Sequence, residues 1–227
     1  LSADGNTVAI SAPLNDIDSM CIQNINTAPG CHSTGHVRIY NYNGSSWNQL
    51  GQDIEGVVAY DYQGWAVSLS GDGQIVAIGS PYGTSSDSGY VKVYNYDGSS
   101  WNQLGQTIYG EGALDYSGQE LSLSRDGSTL AIGVRWNDGN GTDAGHVRIY
   151  SWDGSSWNQI GNNIDGEAAN DQSGYSVSLS ADGTIVAIAS RYSGGGVSSG
   201  YVRVLNVGGT QYTSPPCSGC TDSLAVN

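Results

Sequence analysis

The chain has 227 residues, 34 of them glycine, and seven Lys plus Arg against 21 Asp plus Glu, for a formal charge of −14. That balance leaves no basic cluster to neutralise phosphates, which excludes nucleic acid as a partner, and no run of about 20 apolar residues is present to insert into a membrane as a helix. Fifteen Tyr, six Trp and only 12% charged residues exclude disorder and indicate a turn-rich, strand-rich chain.

In chain order, Leu1-Ser2-Ala3-Asp4-Gly5 is a tight turn and Val8-Ala9-Ile10 an apolar strand. Val37-Arg38-Ile39 is a second strand, and Asn43-Gly44 is a hairpin turn leading to Trp47. The same order returns three times. The Leu-Ser-x-Asp-Gly turn reopens at Leu69, Leu123 and Leu179, and the core triplet returns as Val76-Ala77-Ile78, Leu130-Ala131-Ile132 and Val186-Ala187-Ile188. The basic strand residue returns as Lys92, Arg148 and Arg203, and the hairpin with its Trp as Asp97-Gly98 to Trp101 and Asp153-Gly154 to Trp157. Period-two alternation, tight turns and the absence of capped helical periodicity predict short antiparallel strands throughout. Strands that are apolar on both faces must be covered on both sides. The predicted architecture is therefore all-β, with propeller-type repeats of four-stranded antiparallel blades, about four blades in this chain.

The units are 1–56, which lacks a leading strand and carries an insertion over 14–35; 57–110; 111–166; and 167–214, whose last strand diverges. A tail follows over 215–227. Cys21 and Cys31 share the insertion, and Cys217 and Cys220 lie in the tail. Four cysteines in an acidic, Lys-poor chain favour disulfides and an extracellular or cell-surface location. A zinc site from Cys21, Cys31, His32 and His36 is the weaker reading, because His36 fills a repeat position also held by Tyr90, His146 and Tyr201. Asn43 and Asn140 head glycosylation sequons in turns.

Gly64-Trp65-Ala66-Val67-Ser68-Leu69-Ser70, the Asp-Gly turn, Val76-Ala77-Ile78-Gly79-Ser80-Pro81 and Gly89-Tyr90-Val91-Lys92-Val93-Tyr94 together resemble the FG-GAP repeat of integrin-α-like propellers. Gly118-Gln119 and Gly174-Tyr175 stand with Gly64-Trp65 at that family's Gly-aromatic position, and Ser11-Ala12-Pro13 at its Gly-Ala-Pro. Arg135 and Arg191 depart from the Pro of that motif in units three and four. The resemblance implies a calcium loop, for which Asn137 to Asp143 is the nearest match, with Asp138, Asn140 and Asp143 as ligands.

For function, Tyr42 and Tyr96 are candidate contacts for a partner, while Trp47, Trp101 and Trp157 either stack on sugars or pack between blades. The aspartates recur at turn positions and read as turn-formers. Glu120 alone departs from its frame, where unit two has Ala66 and unit four Ser176. One such carboxylate is short of the pair a glycosidase needs. The expectation is a non-enzymatic extracellular structural or adhesive module that associates with itself or other extracellular proteins, its open edges completed by strands in a fibre. The alternative is a lectin-like carbohydrate- or protein-binding propeller, using Ca²⁺.

Overall fold

A computed structural model describes residues 1–16, 32–193 and 199–207. The described residues form strands and turns without a helix, in four antiparallel sheets. The first holds β1 (Thr7–Ala12), β2 (His36–Tyr42), β3 (Trp47–Gln49) and β4 (Ile54–Glu55). The second holds β5 (Val67–Leu69), β6 (Ile75–Ser80), β7 (Tyr90–Tyr96), β8 (Trp101–Gln103) and β9 (Ile108–Tyr109). The third holds β10 (Glu120–Leu123), β11 (Thr129–Val134), β12 (His146–Trp152), β13 (Trp157–Gln159) and β14 (Ile164–Asp165). The fourth holds β15 (Ser173–Leu179), β16 (Ile185–Ser190) and β17 (Tyr201–Asn206). These are β-propeller blades. The expected single outer strand is broken in two, because β8 and β9 both pair with β7, at opposite ends, around a bulge at Leu104 to Thr107.

The core triplet sets how blades stack. In blade 2, Val76 and Ile78 are buried against Val37, Ile39 and Ile54 of blade 1, while Ala77 packs with Leu130 and Ile132 of blade 3. Large side chains thus face the preceding blade and the small one faces the following blade. Blade 3 repeats the rule: Ala131 meets Val186 and Ile188 of blade 4. Each buried Val or Ile is worth about 1.5–3 kcal/mol. The hydrophobic stabilisation therefore lies between blades, and no blade holds a core of its own.

Polar clasps fix the blades in register. The Trp101 indole N–H donates to the Leu50 carbonyl at 2.8 Å, and the Gln52 amide brackets the Trp101 main chain at 3.0 and 3.2 Å. Trp157 does the same with Leu104, at 3.0 Å, and with Gln106. The bulge in the outer strand is what turns Gln52 and Gln106 toward the next blade. On the inner side, Leu123 N–H donates to Ser68 Oγ and Leu179 N–H to Ser122 Oγ. The Asp-Gly turns are linked in series: Ala3 N–H donates to Gly71 O, Gly71 N–H to Arg125 O, and Arg125 N–H to Ala181 O.

Candidate functional site

The repeated carboxylates are structural. Asp72 accepts from Ser70 Oγ at 2.6 Å and from the Gln74 N–H, and Asp4, Asp126 and Asp182 repeat the arrangement. The Ser hydroxyl beside each of Asp4, Asp126 and Asp182 holds its carboxyl below the usual range. In Asp97, main-chain N–H groups of the hairpin lower it to about 2. The second set, Asp61, Asp115 and Asp171, is buried and caps the turns entering blades 2, 3 and 4. Tyr90 donates its buried hydroxyl to Asp61 at 2.7 Å, and Tyr201 donates to Asp171. Blade 3 has His146 at the tyrosine position, and Asn137 donates to Asp115 instead. Tyr90→Phe is expected to destabilise the protein by about 1–3 kcal/mol in urea unfolding, because it leaves the buried carboxylate short of a donor.

Departures from the repeat mark a different region, at the end of the blades opposite the Asp-Gly turns. Glu120 lies across the sheet from Gly133, whose missing side chain leaves the carboxylate stem its space. Burial pushes the Glu120 carboxyl up, and the Arg135 charge opposes the rise. No hydrogen bond or ion pair holds Glu120 among the described residues. The Arg135 guanidinium lies 5.0 Å from the Tyr175 ring centroid, and Arg191 lies over the same ring at 5.6 Å. Arg135 Nε is buried and has no partner among the described residues. Two arginines thus flank one tyrosine where blade 3 adjoins blade 4, and the charge of one of them, Arg135, acts on the half-buried Glu120.

Next to this group runs an aromatic ladder. Tyr82 lies 4.9 Å from Tyr62, 5.0 Å from Tyr116 and 5.9 Å from Trp65, between ring centroids. The Arg135 charge acts on the Tyr82 phenol, which burial pushes up. Tyr116 lies in the turn that leads into β10, whose first residue is Glu120, so the ladder and this group share one end of the blades.

The residues singled out in the sequence lie elsewhere. Trp101 and Trp157 are buried in the blade interfaces, which corrects the contact role considered for them: both pack and clasp. Trp47, with no blade before it among the described residues, is half exposed and tilts against Tyr42 at 5.3 Å. Tyr96 lies against Trp101 at 5.1 Å. Asn43 Oδ1 accepts from Ser45 and Ser46 in its hairpin turn. In the candidate calcium loop, Asp138 accepts the Asp143 N–H and Asn140 donates to the Gly166 carbonyl. No group of three acidic, His or Cys side chains converges among the described residues. Cys21, Cys31, Cys217 and Cys220 lie outside the described residues.

Two open grooves arise from the blade repeat itself. One of about 500 Å³ is lined by Gly71, Asp72, Arg125, Asp126, Ala181 and Asp182, the turn residues whose carboxylates are already committed. The other, about 520 Å³ beside Gly161 and Asn162, is the blade 3 counterpart of the bulges that receive Trp101 and Trp157. No described helix is long and apolar enough to cross a membrane.

No family model matches the chain, and no curated protein matches it. Solved structures do. A protein of Bacteroides uniformis named a putative 6-phosphogluconolactonase aligns with 80% of this chain and 48% of its own, at 15% identity and a TM-score of 0.54. The periplasmic gluconolactonase PpgL of Pseudomonas aeruginosa aligns with 74% of this chain and 45% of its own, at 15% identity and a TM-score of 0.43. The chain thus spans about half the length of these structures. The expectation of a non-enzymatic structural or adhesive module is corrected here. It rested on open blade edges and on the lack of a catalytic constellation in the sequence, whereas the propeller architecture is shared with a protein named as a putative lactonase.

Proposed function

We propose that the Glu120, Arg135, Tyr175 and Arg191 group is the active site of a hydrolase acting on a lactone of a sugar acid. The observation that carries the reading is convergence: Arg135 and Arg191, far apart in sequence, lie over one tyrosine ring, and the Arg135 charge acts on the half-buried Glu120. Residues that only built blades would follow the repeat. The substrate type in the name of the Bacteroides uniformis protein suits this chemistry, since a cyclic ester needs a base for water and cationic groups for the charge that develops.

In the proposed step, the ionised Glu120 takes a proton as water oxygen bonds to the lactone carbonyl carbon. Arg135 stabilises the resulting oxyanion. The intermediate collapses with cleavage of the ring C–O bond, and Glu120 returns the proton to the departing ring oxygen, giving the open hydroxy acid. Arg191 pairs with an anionic substituent such as a phosphate. Export from the cytosol is part of the proposal and is supported by the four cysteines and two sequons.

Acid release from glucono-δ-lactone and 6-phosphogluconolactone in a pH-stat tests the reading. The protein is expected to exceed the spontaneous rate, and Glu120→Gln to lower kcat/KM by about 100-fold. Activity should rise with pH as Glu120 ionises, above the ordinary glutamate range because burial favours the neutral form. The same shift has a stability consequence. The folded state holds this proton more tightly than the unfolded chain, so stability present in acid is lost as pH rises through the folded pKa. Glu120→Gln should therefore melt higher than the parent at neutral pH. Absence of acceleration with either lactone overturns the proposal.

A further inference from the structure

The hydrolytic reading leaves the aromatic ladder unused, and the ladder is costly to build. Tyr60, Tyr62, Leu114 and Tyr116 have φ of 65°, 50°, 64° and 53°. The left-handed region costs an L-residue about 1–2 kcal/mol, and Asn is the side chain that tolerates it best. Asn170 and Gln172 stand at the equivalent positions before blade 4, with φ of 65° and 54°. Tyrosine is therefore not what the turn requires. Nor does the core gain much from these rings: Tyr60 is 53% exposed, Trp65 is 43% exposed, and Tyr62, Tyr82 and Tyr116 are half-buried against one another. The turn accounts for the backbone, but neither turn nor core accounts for the exposed rings, and an exposed aromatic cluster is where a binding role is sought.

The chemistry of the surface narrows the ligand. Ring faces and phenol edges alternate from Tyr60 through Tyr62 and Tyr82 to Tyr116, with Trp65 edge-on to Tyr62 and Tyr82. Asp87 and Arg135 are the charged groups acting on the central Tyr82. Such a surface suits a ligand with apolar C–H faces and hydroxyl edges, which describes a neutral pyranose. Nucleobases also stack on aromatic rings, but their phosphates need cations that a chain of charge −14 lacks.

We infer that the ladder is a subsite for neutral pyranose rings, and that the substrate of the adjoining site is a glycosylated or oligomeric sugar acid. The first half stands on the ladder alone; the second rests on the hydrolase reading. Because the ladder runs through Tyr82 to Tyr116, in the turn that leads into Glu120, a saccharide lying on it would present its acidic end to Glu120 and Arg135.

The test is a titration of the full chain with neutral oligosaccharides of glucose, mannose, galactose, xylose and N-acetylglucosamine, followed by tryptophan emission, to which Trp65 contributes. At least one oligosaccharide is expected to give a saturable change. Tyr82→Ala should weaken binding by about 10-fold, while Tyr82→Phe, which keeps the ring, should stay close to the parent. Unchanged affinity in Tyr82→Ala, or no saturable change with any saccharide, overturns the inference. So does capture of the ladder by an apolar peptide in place of every saccharide. Because the titration reads binding without turnover, its failure is distinguishable from failure of the lactone assay.

Discussion

Trp157→Ala is expected to lower stability by about 3–5 kcal/mol in urea unfolding. The indole is 2% exposed and belongs to the core shared by blades 2 and 3, with Ile108, Leu123, Leu130 and Tyr150. Truncation opens a cavity at a blade interface and removes the donor to the Leu104 carbonyl. Gln106, which brackets the Trp157 main chain, loses the packing that orients it. Trp47→Ala is the internal control. The residue occupies the same repeat position but is 48% exposed, so its loss should cost about 1 kcal/mol or less. Equal losses at the two positions would show that the indole acts within its own blade and not between blades.

Gly145→Ala is the second large effect, about 2–5 kcal/mol. Gly145 has φ of 71° at the end of the loop entering β12, where it bridges in parallel to Ser173. A β-carbon here would overlap the Ser173 carbonyl, which adds about 1–3 kcal/mol of overpacking to about 1–2 kcal/mol for the left-handed backbone. Gly98→Ala separates the two terms, since Gly98 has φ of 97° and nothing within 4 Å of its added carbon. It should show the backbone term alone. The contrast bears on the proposed function as well, because the Gly145 to Ser173 crossing holds the start of β15, from which Tyr175 projects between Arg135 and Arg191. A displaced strand end would lower the proposed lactone hydrolysis along with stability.

The two expectations that needed correction share a physical origin. Trp101 and Trp157 are large, aromatic and periodic, which sequence alone cannot separate into ligand platform and interface packing; burial decides it. Glu120 has no second carboxylate to pair with, and the charge that acts on it is Arg135, further along the chain. The signal was present all the same. Glu120 departs from a frame that recurs in the other units, and Arg135 and Arg191 share one position at which units one and two carry Pro13 and Pro81. The ladder had no such marker, since Tyr62 and Tyr116 repeat each other and read as part of the frame.

What the sequence determined by itself is the blade. Strand alternation, Asp-Gly turns and the Val-Ala-Ile triplet are signals written in a few adjacent residues, and a period near 55 residues repeats them until the pattern is unmistakable. Only the tertiary structure decided what the blades present. Stacking in chain order sets blade 3 against blade 4, so that Arg135 and Arg191, far apart along the chain, lie over the same Tyr175 ring, and Arg135 acts on Glu120. That proximity depends on the angle and register between sheets, which the buried side chains and the Leu179 to Ser122 and Arg125 to Ala181 hydrogen bonds set collectively, and no spacing along the chain encodes it.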